Sequence, residues 1–88
     1  MFYNYVLKSE KGDDLYTGRT NDLKRRLKEH NNGLNPSTKR YRPWKLIYYE
    51  ACLDEADSKR REGYLKTTQG RRLLGKRLKE FFYKENKV

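Results

Sequence analysis

The stretch Phe2-Tyr3-Asn4-Tyr5-Val6-Leu7-Lys8-Ser9-Glu10-Lys11-Gly12-Asp13-Asp14-Leu15-Tyr16-Thr17-Gly18 decides the fold. Phe2 to Leu7 and Leu15 to Gly18 are β-prone runs, and the polar Ser9 to Asp14 segment between them has turn chemistry, so the stretch reads as a hairpin. Aromatic and aliphatic residues occupy both parities of the first run, which predicts a strand covered on both faces.

Beyond the hairpin, Thr20-Asn21-Asp22 offers helix-starting side chains and Asn31-Asn32-Gly33 a stop, predicting a helix over residues 21–31. Leu34 to Pro43 is polar and Pro-containing, a loop expected to expose Lys39, Arg40 and Arg42. Trp44 to Tyr49 reads as a third strand. Asp54-Glu55-Ala56-Asp57 resembles a capped start for a second helix running to about Lys66. After a break at Thr67-Thr68-Gln69-Gly70, Leu74, Leu78, Phe81 and Phe82 recur at helical spacing, predicting one amphipathic third helix packed on the sheet. The order is β-β-α-β-α-α, an α+β arrangement.

At 88 residues and 10.7 kDa, the chain has the size of a single small domain spanning 1–88. Only 34% of it is hydrophobic, but eight Tyr, three Phe and one Trp supply the bulky apolar area that a disordered polyelectrolyte lacks. A thin core is expected. One Cys and one His exclude an intrachain disulfide framework and a four-ligand zinc site. The lone thiol fits a reducing compartment, and the N-terminal run meets Lys8 before a secretory or membrane-spanning segment is completed, so a cytoplasmic location is expected.

The net charge of +10 is blocked along the chain. Residues 19–45 hold nine Lys/Arg against two Asp/Glu, and residues 59–79 nine against one, with an acidic stretch between. Two basic blocks suggest a polyanion-binding surface, because neutralising phosphates releases condensed counterions. Nucleic acid stands ahead of merely solvated helix faces, and an acidic membrane surface is a distant third.

Helical phase marks the odd residues. At about 100° per residue, Leu23, Arg26, Leu27 and His30 share one face, whereas Lys24, Arg25, Lys28 and Glu29 face water. An arginine on a core-facing stripe needs an anion or an escape route for its head. The anion is either a substrate phosphate, well matched to a guanidinium fork, or an ordinary salt-bridge partner. His30 is equally open between a satisfied boundary histidine and an acid/base group. On the second helix Glu62 shares a stripe with Ser58 and Leu65, and is either ion-paired or a ligand for a hard cation.

Taken together, these residues resemble the GIY-YIG nuclease superfamily from Tyr3 to about Leu78. Tyr3-Asn4-Tyr5 stands where the first signature belongs, with Tyr3-Asn4 in place of Gly-Ile, and Tyr16-Thr17-Gly18 stands as the second, with Thr17 in place of Ile. Arg26 and His30 follow Tyr16 at the family's spacing for its helix arginine and the His or Tyr one turn later. Glu55-Ala56 followed by Glu62-Gly63-Tyr64-Leu65-Lys66 looks like the family's metal-carboxylate segment. The asparagine that many members carry about a dozen residues later is replaced in the region of Leu74.

The resemblance implies a three-stranded antiparallel sheet flanked by helices and an Mg²⁺- or Mn²⁺-dependent phosphodiesterase, with DNA placed ahead of RNA as substrate and repair or recombination as the setting. Tyr5 or Tyr16 would help deprotonate the attacking water, Arg26 would stabilise charge on the phosphate, His30 would position or shuttle a proton, and Glu62 would hold the metal. Arg19, Lys24, Lys39, Arg40, Arg42 and Lys66 would position the nucleic-acid backbone. The alternative is a module using the same basic surface to bind nucleic acid without hydrolysis.

Overall fold

The computed structural model describes residues 1–86. Strand β1 (Phe2–Ser9) is the centre of a three-stranded sheet, between β2 (Leu15–Thr20) and β3 (Trp44–Cys52), and both pairings are antiparallel. Its central place explains the two-sided sequence pattern. Successive strand side chains alternate between faces: Tyr5 and Leu7 pack with Trp44, Tyr16, Leu23, Leu27 and Leu46 on one face, while Val6 packs with Leu65 and Leu74 on the other. Two thin cores therefore share one strand.

Helix α1 (Leu23–Asn31) covers the Tyr5 face, and α2 (Glu55–Leu65) and α3 (Thr68–Arg77) cover the Val6 face. The starts follow capping chemistry. Asp22 accepts from the Arg25 amide at 3.1 Å, Asp54 from the Ala56 amide at 2.8 Å and Thr67 from the Gly70 amide at 3.1 Å. Helix α1 thus begins at Leu23, two residues later than expected, because Asp22 is its cap. The asparagine ending α1 bonds both backbone groups of Trp44, Nδ2 donating to O at 3.0 Å and Oδ1 accepting from N at 2.6 Å, which fixes α1 against the start of β3. On the other face the Ser58 hydroxyl donates to Asn4 Oδ1 at 3.0 Å, fixing α2 to β1.

The C-terminal region corrects two expectations. The break between the second and third helices is confined to Lys66 and Thr67, and Gly70 lies inside α3. The single amphipathic helix expected through Phe82 is two helices, α3 and α4 (Lys79–Glu85), meeting at Leu78. The bend lets α4 reach the sheet: Lys45 sits 5.3 Å from the Phe81 ring centre, and Glu85 pairs with Lys8 at 3.5 Å and Lys45 at 3.6 Å. The loop expected over Leu34 to Pro43 contains one 3-10 turn, Lys39–Tyr41. No helix among the described residues is long and apolar enough to cross a membrane.

Candidate active site

Tyr5 is the hub. Its ring extends from the middle of β1 toward β2, where its register partner is Gly18. A Cβ at Gly18 would overlap the Tyr5 Oη and Cζ atoms and press on the Tyr16 ring, so the glycine of the second signature makes room for the tyrosine of the first. The phenol reaches α1, where Oη lies 2.8 Å from His30 Nε2 and 3.4 Å from Arg26 Nε. Tyr16 meets the same imidazole edge-on, ring centres 5.0 Å apart at 61°, and stands 6.3 Å from Tyr5.

The hydrogen-bond directions in this cluster follow from chemistry. Arg26 Nε–H can only donate, so Tyr5 Oη accepts from it; with Thr38 Oγ1 donating to Asn35 O and so accepting from Nδ1–H, His30 Nε2 is the acceptor of the Tyr5 proton. His30 Nδ1–H then donates to Thr38 Oγ1 at 2.7 Å, and Thr38 passes its hydroxyl proton toward the Asn35 carbonyl at 3.4 Å. This order requires a neutral imidazole. Burial, assisted by the Arg26 charge and opposed by Glu29, pushes the His30 pKa down to about 4. Burial likewise raises the Tyr5 pKa, with the charges of Tyr16 and Glu62 adding to it and Arg26 opposing.

Arg26 is half-buried beside its partners. Its Nη1 donates to Glu29 Oε1 at 2.9 Å, and these contacts hold its pKa above the usual guanidinium value. Glu29, expected to face water, is drawn inward by this pair.

Glu62 approaches from the other side of the sheet. On the register of β2, Thr17 and Arg19 point to the α2 face, opposite Tyr16 and Gly18. Glu62 meets Arg19 there at 3.7 Å and Lys66 at 3.5 Å; its side chain is 24% exposed. It touches none of the four aromatic and basic residues directly, but its charge is felt at the Tyr5 hydroxyl.

The sequence model of the GIY-YIG catalytic domain matches residues 1–79. The chain belongs to the GIY-YIG family. Among its relatives are a UPF0213 protein of Clostridium perfringens, 45% identical over 67 residues covering 75% of this chain and 71% of that protein. A UPF0213 protein of Streptococcus agalactiae is 45% identical over 65 residues, 73% of each chain. One of Bacillus pumilus is 41% identical over 66 residues, 74% of this chain and 66% of that protein. No solved structure matches the chain significantly.

The two isoleucine replacements in the GIY-YIG signatures have different structural outcomes. Asn4, standing where the signature has Ile, is satisfied by Ser58. Thr17, also standing for Ile, is buried, and its hydroxyl lacks a hydrogen-bond partner among the described residues.

GIY-YIG nucleases generally use divalent metals, and Glu62 fits such a role on one observation. Among the described residues, this carboxylate, three-quarters withdrawn from solvent, accepts no hydrogen bond and makes only two long ion pairs, so its oxygens retain free lone pairs. No group of three or more His, Cys, Asp or Glu suited to a metal occurs among the described residues. One carboxylate with substrate phosphate and water remains sufficient for a hard cation.

The residues expected to position nucleic acid are scattered. Lys24, Lys39 and Arg40 are exposed, whereas Arg42 is half-buried with Nε donating to the Lys39 carbonyl at 2.9 Å. Lys66 is paired with Glu62, and Arg19 is held by Glu55 at 3.0 Å as well as by Glu62. Sequence reasoning missed Thr38, which is fully buried, orients His30 and accepts the Trp44 indole N–H on its carbonyl at 2.8 Å. It sits in a polar loop with no periodicity to single it out.

Proposed function

We propose that this protein is a divalent-metal-dependent endonuclease that hydrolyses phosphodiester bonds in DNA. The observation that carries the reading is the directed chain from Arg26 through Tyr5 to a neutral His30. Arg26 binds a phosphate oxygen and stabilises its developing charge. Tyr5 Oη takes a proton from the attacking water as its own proton passes to His30 Nε2. The water oxygen forms a bond to phosphorus while the bond to the leaving oxygen breaks. The same Arg26 charge that depresses the His30 pKa is offset once an anionic phosphate sits on it, so substrate binding makes the imidazole a better proton acceptor. Thr38 holds the ring in the tautomer this requires. Glu62 would hold a Mg²⁺ or Mn²⁺ ion, whose charge would stabilise the departing oxygen.

The reading extends to structure-selective incision, of the kind used in repair or recombination. It is tested by incubating plasmid, branched, single-stranded and RNA substrates with Mg²⁺ or Mn²⁺ and wild-type or Glu62→Gln protein. Metal-dependent cuts by wild type alone, strongest on branched DNA, are expected. Identical behaviour of the two proteins on every substrate would end the enzyme reading.

A further inference from the structure

Helix α2 has two flanks that face different edges of the sheet. At about 100° per residue, Glu55, Glu62 and Lys66 lie on one side of Ser58, while Asp57, Arg61 and Tyr64 lie on the other. The first flank meets Arg19 of β2, where the candidate active site is built. The second meets β3: Arg61 grips Glu50 with two hydrogen bonds of 2.7 and 3.0 Å, and stacks on Tyr64 at 5.3 Å.

This second flank opens into a groove of about 660 Å³ between α2 and α3, lined by Tyr64, Gln69, Arg72, Leu73, Lys76 and Arg77. Its charge state differs from that of the catalytic flank. Around Tyr5 and Glu62 the cations are paired: Arg19 with Glu55 and Glu62, Arg26 with Glu29, Lys66 with Glu62. The groove lining contains no acid, and among the described residues the side chains of Arg72 and Lys76 have neither an ion pair nor a hydrogen bond. Arg77 reaches Glu50 only through space, and that carboxylate is already held by Arg61. All three cations are exposed.

We propose that this groove is a second nucleic-acid subsite, taking the phosphodiester backbone at a stretch of substrate distinct from the one being cut. The choice of nucleic acid as its ligand rests on the proposed nuclease reading. Three exposed cations with no acid in the groove lining, only Arg77 feeling one nearby carboxylate that Arg61 already holds, are complementary to a row of phosphates. A lipid surface fits less well, because a helix that lies in a membrane interface needs a free apolar face. The leucines of α3 are already spent on the core, Leu74 being 1% exposed and Leu73 packed beside it. Occupying both flanks of α2 at once favours a substrate that bends or branches.

The test is fluorescence-anisotropy binding of labelled duplex, branched and single-stranded DNA in EDTA, so that no cleavage intervenes, across a salt series. Wild type is compared with Arg72→Gln/Lys76→Gln/Arg77→Gln and with a control of equal charge change, Lys11→Gln/Lys28→Gln/Lys84→Gln. Removing three phosphate contacts should lower the slope of log Kd against log salt by about 2.7, so that a fourfold rise in salt weakens wild type about 40-fold more than the groove variant. The control should keep the wild-type slope. A groove variant with the wild-type slope, or a control that loses as much, would overturn the proposal. So would wild type that binds no DNA but cosediments with phosphatidylserine vesicles, or that holds an acidic protein against DNA competitor. Circular dichroism of each variant checks that folding is unchanged. Failure of wild type to cut in Mg²⁺ would count against the nuclease reading alone, since the binding comparison contains no metal.

Discussion

The Tyr5 phenol lies across Gly18, on the one position of β2 that has no side chain to block it. The two signature tripeptides are therefore one packing unit, since the second strand's glycine is the floor on which the first strand's tyrosine reaches α1. Any larger residue at this position displaces the phenol from His30 and Arg26. Gly18→Ala is expected to destabilise the protein by about 1–3 kcal/mol through overpacking, read as a lower urea midpoint. Cleavage should fall further than stability explains. An unchanged rate in Gly18→Ala would show that Tyr5 need not hold this position.

His30 ties stability to pH. Unfolded, its imidazole titrates near 6.5; folded, near 4, with Tyr5, Arg26, Glu29 and Thr38 around it. Between those values the unfolded chain binds a proton that the folded chain refuses, so stability falls as pH drops through the window, by up to about 3 kcal/mol. Glu50, held below its usual range by Arg61, also loses its contribution as pH falls, so the wild-type slope alone is not diagnostic. His30→Gln removes the imidazole part only. Urea unfolding at pH 7 and pH 4.5 should show a smaller acid loss in the variant than in wild type.

Local chemistry made much of this legible. The hairpin, the Asp54 cap and the inward phase of Arg26 and His30 are each set by neighbours within a few residues, and the structure keeps them. What was hidden depends on contacts across the chain. The bend at Leu78 is set by Phe81 and Glu85 meeting the sheet, which helical spacing does not encode. Thr38 orients His30 from a loop whose composition says only that it is polar. The two flanks of Glu62's helix become different surfaces only once the sheet order puts β2 and β3 on opposite edges.

Thr17 offers a stabilising change. Its hydroxyl is buried under α2 without a partner, and the side chain is 2% exposed. Replacing it by the near-isosteric Val removes the unpaired group and leaves the β-branched shape that a strand favours. Thr17→Val should raise stability by about 1 kcal/mol, visible as a higher thermal midpoint with unchanged cleavage. A lower midpoint would mean that the hydroxyl is satisfied in solution, by a water molecule for instance.

Arg19 and a metal ion would compete for the same carboxylate. Its Nε is buried, unpartnered by a hydrogen bond and 3.7 Å from Glu62, so it neutralises the carboxylate without saturating it. A dication arriving at Glu62 must displace or tolerate this charge. Arg19→Met keeps the apolar stem and removes the competitor, while Glu55, already exposed, simply returns to water. Partly exposed ion pairs are modest, so Mn²⁺ binding measured by calorimetry should tighten by about threefold or more in Arg19→Met. Weaker Mn²⁺ binding in the variant would mean the reverse arrangement, with the guanidinium holding Glu62 in the position the ion needs.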